Sequence, residues 1–103
     1  MMKSRRAKAT DIPQRVKEKV WERDGHRCIF CGDCYAWPNA HYIRRSRGGL
    51  GVEQNVVTAC KICHHKMDNG KDGEQELFAK AAKQYLSARY RDWNEDDLIY
   101  KKG

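Results

Sequence analysis

Four cysteines fall into two pairs, Cys28-x2-Cys31 and Cys60-x2-Cys63, with 28 residues between the pairs. A two-residue spacer lets one tight turn aim both sulfurs the same way, and two such turns close a tetrahedral four-thiolate site without an open position. That donor set suits a structural zinc ion rather than a catalytic one. The competing readings are a redox pair or four unrelated thiols. Cys34 is left over as a spare thiol, since five cysteines cannot all pair within one chain. Between and just after the pairs lie His41, Asn55 and His64-His65, so three of the chain's four histidines gather around the cysteine frame. An imidazole titrates near neutral pH and serves both as general base and as metal ligand. Singly, each of these residues has an ordinary explanation as a satisfied polar group or a turn cap.

The elements that must carry these groups are short. Asp11 can cap a helix with Pro13 in its first turn, and Ile12, Val16, Val20 and Trp21 recur at helical spacing until Asp24-Gly25. From 26 to 60 no helical period appears. Turn-rich cysteine loops, a short run at His41–Ile43, a glycine-bearing loop at Gly48–Gly51 and a second run at Val56–Thr58 predict a hairpin with a long connection. A short helix is expected from near Cys60–Cys63 to Asn69-Gly70, a good helix stop. Residues 74–90 carry the clearest helical stripe, Leu77/Phe78, Ala81/Ala82, Tyr85/Leu86 and Tyr90, which reads as a core-facing surface. After Trp93, Asn94 with Asp97 can cap a last turn bearing Leu98, Ile99 and Tyr100.

Composition bounds what these elements can build. The chain has 103 residues, one domain's worth, and is 40% hydrophobic and 34% charged, so its core must be modest and a metal staple useful. Residues 1–10 read as a basic flexible arm and 11–103 as a single domain. The net charge is +7, and its excess is uneven: residues 1–27 hold nine Lys/Arg against four Asp/Glu, whereas 72–103 hold six against seven. A positive first two thirds fits a polyanionic partner, although a solvated surface would look the same. The basic N-terminus runs into no apolar segment and no stretch reaches transmembrane length, which predicts a cytoplasmic protein without membrane contact. Reduced thiols in that compartment favour metal over disulfides.

Taken together, the residues from about Val16 to Gly70 resemble the HNH endonucleases of the ββα-metal nuclease superfamily, especially the small bacterial and phage type with a four-cysteine zinc. The likeness rests on five elements in order: the helix leading into Arg23-Asp24-Gly25, Cys28-x2-Cys31-Gly32, the run Ala40-His41-Tyr42-Ile43-Arg44-Arg45-Ser46-Arg47-Gly48-Gly49, Asn55-Val56-Val57, and Cys60-x2-Cys63-His64. The resemblance implies an α+β fold, a small zinc-stapled ββα-metal domain with flanking N-terminal and C-terminal helices. It further implies a metal-dependent DNA endonuclease in which His41 is the general base, Asn55 braces the loop that orients it, and His64 binds Mg²⁺ or Mn²⁺. Products would carry 5′-phosphate and 3′-hydroxyl ends. The chemistry agrees, because phosphodiester hydrolysis needs a nucleophile activated near neutral pH and a counter-charge for the developing oxyanion.

The sequence departs from the family at one position. Where many members place a metal-binding Asp or His just before the base, this chain has Ala40. Asp68, four residues after His64 and so on the same helix face, is the expected replacement ligand, while His65 points away from that face. Arg44, Arg45 and Arg47 flank the base and are natural partners for the DNA backbone. No separate DNA-reading module is apparent, so low sequence specificity is expected, with DNA as partner, no small-molecule substrate, and a monomer or homodimer. The alternative left open by Ala40 is a zinc-stapled DNA-binding module without catalysis.

Overall fold

The structure, a computed structural model, describes residues 4–101. Helix α1 covers Arg5–Thr10 and α2 Gln14–Arg23; strands β1 and β2 cover Ala36–His41 and Val56–Cys60; α3 and α4 cover Lys61–Asn69 and Glu74–Arg89. Short 3-10 turns occupy Arg45–Arg47 and Glu95–Leu98. The architecture is a small α+β domain with a two-stranded antiparallel sheet.

The expected flexible arm is corrected by α1: residues 5–10 are helical, and residues 1–3 lie outside the described residues. Ser4 caps the helix by accepting a hydrogen bond from the Ala7 N–H, and Thr10 at its end is buried. The basic residues concealed this, because a six-residue helix has no room for an apolar stripe and is held by tertiary contacts instead. In α2 the cap position belongs to Pro13, whose fixed φ suits a helix start, rather than to Asp11. Val16 and Val20 form one buried face and pack with Ile12 against Val56. The helix stops where Gly25 and His26 both take positive φ.

Beside that stop, Asp24 is buried yet fully engaged. Its carboxylate accepts hydrogen bonds from Arg23 (2.7 Å), the Tyr85 hydroxyl (2.6 Å) and the Thr58 N–H (2.8 Å). Arg23 also donates to the Glu53 and Val56 carbonyls and to the Tyr90 hydroxyl. One ion pair thereby ties α2 to β2 and α4. Removing either partner would strand a buried charge, which costs about 3–5 kcal/mol.

Strands β1 and β2 pair from Ala36↔Cys60 to His41↔Val56, with an irregularity between Trp37 and Ala40. The first strand therefore ends at His41 instead of starting there. Asn55 explains the difference: its Oδ1 accepts from the Ile43 N–H (2.8 Å) and its Nδ2 donates to the Ile43 carbonyl (3.1 Å). The side chain satisfies Ile43 in place of a ladder partner, so the run past His41 is extended without being strand. In α4, Phe78, Ala82, Tyr85 and Leu86 face the core, whereas Leu77 and Ala81 of the expected stripe are exposed. Asn94 caps the last turn through the Asp96 N–H, and buried Leu98 follows. This C-terminal segment clips the glycine loop, with Leu50 N–H donating to Leu98 and Tyr100 N–H to Gly48.

Candidate functional site

The two cysteine turns are built by main-chain hydrogen bonds. Cys28 N–H donates to Asp33 and Gly32 N–H to Cys28, with Gly32 at a positive φ of 81° that closes the turn. Ile29 N–H donates to Thr58, fastening this turn to β2. Cys60 caps α3, its sulfur accepting from the Cys63 N–H at 3.4 Å, and the Cys28 sulfur accepts from Phe30 N–H at 3.4 Å. All four sulfurs lie within 4.8 Å of one another. Ligands about 2.3 Å from a tetrahedral zinc stand about 3.8 Å apart, and Cys31 and Cys60 are 3.6 Å apart, so the residues fit the ion. Cys34 is exposed and outside the group.

Crowding four sulfurs divides their proton affinities. Burial pushes the Cys28 thiol up, but main-chain donors around it outweigh this and bring it down to about 7. Cys63 is driven well up by burial and by the neighbouring Cys60 and Cys31 sulfurs. A divalent cation supplies the counter-charge that lets all four act as thiolates.

A cleft of about 650 Å³ opens beside this frame, lined by Asp11, Ile12, Lys17, Asn39, His41, Arg44, Arg45, Ser46, His64 and Asp68. The sequence-derived residues His41, Arg44, Arg45, His64 and Asp68 are thus brought together. Arg47 is exposed and lines the adjoining cleft that shares His41, Arg44, Ser46 and Asp68. His65 is exposed and lines a neighbouring pocket with Trp37 and Lys61 that shares Asn39, His64 and Asp68 with the cleft, so it stands closer to the His64–Asp68 pair than the helical face suggested. The fourth histidine, His26, stacks on Trp21 and bonds Glu22, away from the cleft.

His41 is 8% exposed, and its Nε2 lies 2.8 Å from the Thr10 carbonyl oxygen. A carbonyl can only accept, so Nε2 carries the proton and neutral His41 keeps its lone pair on Nδ1. Burial lowers its proton affinity below the usual 6.5, the Thr10 bond opposes this in part, and the Arg45 charge adds to the lowering. The ring is therefore neutral, and able to take a proton, at neutral pH.

Asn55 is fully buried and does not enter the cleft. Besides gripping Ile43 it donates to the Leu50 carbonyl (2.9 Å), and its own carbonyl accepts from Tyr42 N–H (2.7 Å). Every polar atom of the side chain holds the segment that leaves His41. Arg44 donates to the Asp68 carbonyl (2.8 Å) and to Gln75 (2.7 Å), and Arg45 forms an ion pair with Asp11.

On α3, His64 Nε2 and Asp68 Oδ2 are 3.1 Å apart. Neighbouring donors on an octahedral magnesium, each about 2.1 Å from the ion, stand about 3 Å apart, so this pair fits two adjacent coordination positions. Among the described residues, the four cysteines are the one group of three or more such ligands that converges within 4.8 Å. Ala40 does not contribute: it is fully buried and faces the apolar core, while Asn39 and His41 on either side of it line the cleft. Alternation along the strand could have drawn attention to Asn39 from the sequence. The Thr10 carbonyl, Asp11 and Lys17 could not have been found that way. A main-chain oxygen has no residue signature, and the other two come from segments distant in sequence. Compared with protein-family models, with curated proteins and with solved structures, the chain matches none of them.

Proposed function

We propose that the protein is a metal-dependent endonuclease of the HNH type that hydrolyses phosphodiester bonds in DNA with low sequence specificity. The observation that carries this reading is the placement of a buried histidine, its proton confined to Nε2, in one cleft with the His64–Asp68 pair and with Lys17, Arg44 and Arg45. In the proposed reaction Nδ1 of His41 takes a proton from the attacking water, while Nε2–H stays on Thr10 and keeps the ring from turning. Asn55 holds the exit of the strand so that the ring stays aimed. Lys17 and Arg45 face the backbone phosphates, Arg45 from its place beside Asp11. His64 and Asp68 would hold Mg²⁺ or Mn²⁺, which supplies counter-charge for the developing oxyanion. The cysteine frame holds zinc and keeps β2 and α3 rigid beneath the cleft.

The test is plasmid nicking with Mg²⁺ or Mn²⁺. His41→Ala is expected to lower the rate by about 10²–10⁴-fold while DNA binding is kept, with some loss of stability because the buried Thr10 carbonyl loses its donor. Because the base works unprotonated and its proton affinity is lowered by burial, the rise of rate with pH should centre below 6.5. Wild-type nicking by His41→Ala would sink the reading. A second reading, a DNA-binding module without catalysis, is favoured by one observation: Ala40 is apolar and turned into the core, so the cleft has two evident metal donors from the protein. Binding without nicking at any divalent metal concentration would select it.

A further inference from the structure

We propose that the N-terminal helix is a working part of the cleft, and that Thr10 acts as a positioning residue for His41 through its main-chain carbonyl. The inference rests on the reading of His41 as general base, and it concerns a segment outside the cysteine frame and the strand pair.

The physical starting point is the end of α1. The last carbonyls of any helix lack partners within it, and a buried carbonyl left unpaired costs free energy. Thr10 is the last residue of α1 and is 3% exposed. Its hydroxyl turns back along the helix to the Arg6 and Ala7 carbonyls, at 3.0 and 3.2 Å. Its own carbonyl is satisfied by the His41 ring at 2.8 Å. The preceding carbonyl, Ala9, is satisfied by Gly51 N–H at 2.9 Å. Two of the orphan oxygens of the helix end thus find donors on the strand and loop that build the cleft.

Two further contacts hold the strap in place. The Arg6 guanidinium reaches the Ser46 carbonyl at 2.7 Å, and Asp11 pairs with Arg45. Close approach at Gly51 is what lets the chain seat: a Cβ there would overlap the carbonyl of Asp11 and crowd Ile12. Gly51 does not have a positive φ, so a side chain is excluded by space and not by backbone strain. Both ring nitrogens of His41 could otherwise carry the proton. The strap selects one, and so places the lone pair on the other.

The experiment uses the 103-residue chain with zinc bound. Gly51→Ala should lift the segment after α1 and lower the nicking rate by about 10²-fold, the loss expected when a reacting group is misplaced by about 1 Å. Nitrogen NMR of the His41 ring should change from a single Nε2–H pattern to a mixture of tautomers. Arg6→Ala, which loosens the strap without touching its close contact, should shift both readouts less and in the same direction. If Gly51→Ala fails to fold, Arg6→Ala decides alone. An unchanged Nε2–H pattern with a wild-type rate in the folded variants overturns the proposal. Should His41→Ala nick DNA normally, the base reading fails instead, and the ring signal still judges whether Thr10 sets the tautomer.

Discussion

The cysteine frame and the histidine cleft lie side by side and are built on opposite plans. In the frame, four donors from two short segments converge within 4.8 Å, and main-chain N–H groups already bond two of the sulfurs. In the cleft, the side chains come from the exit of α1, from α2, from β1, from the arginine turn and from α3, and the evident donors for a hard cation are two. A closed set of soft ligands holds an ion and leaves no position for a substrate. A sparse set leaves positions for water and phosphate, which a hard cation such as magnesium retains in any case. The contrast teaches that a closed ligand cluster can be read from local spacing, whereas an open cleft draws its parts from across the chain.

The largest effect is expected at the cysteine frame. Cys28→Ser or Cys60→Ser should abolish the cooperative thermal transition, because a structural zinc contributes about 10–16 kcal/mol while a domain of this size is stable by only about 5–15 kcal/mol. Calorimetry of the metal-free protein checks this, and an unchanged transition would remove zinc from the account of stability. Asn55→Ala comes next. It leaves the buried Ile43 groups and the half-buried Leu50 carbonyl without partners, at about 1–3 kcal/mol for each buried group stranded, and should lower the melting temperature with the zinc still bound. A melting temperature equal to wild type would mean that the segment after His41 is held by other means.

Smaller effects are expected in the cleft. Asp68→Ala should raise the Mn²⁺ concentration for half-maximal nicking by about tenfold or more, taking the cost of losing even an outer partner of a metal as the guide. Asp68 also sits one turn from the end of α3, so a capping role predicts the opposite pattern, a lower melting temperature with the same Mn²⁺ titration. The smallest effect belongs to the arginines. Arg44→Ala or Arg45→Ala should each reduce the slope of log affinity against log salt by about 0.9 on duplex DNA, one phosphate contact apiece. Arg44 is already bonded to Asp68 and Gln75, so a slope altered only in Arg45→Ala would make Arg44 a strut between the loop and α4.

What the sequence determined by itself was whatever depends on neighbours a few residues apart. The cysteine spacing foretold the four-sulfur cluster, the Val16–Val20 and Ala82–Leu86 periods foretold the buried helix faces, and Asn69-Gly70 marked the end of α3. His64 and Asp68 could be placed together because one helical turn separates them. Tertiary structure alone decided the rest. It made a helix of residues 5–10, ended β1 at His41 by lending Ile43 the Asn55 side chain, turned Ala40 into the core, and set Thr10 against the His41 ring. The physical reason is common to all four. Each is settled by contacts with segments 12 to 40 residues away in the chain, where spacing and periodicity carry no signal.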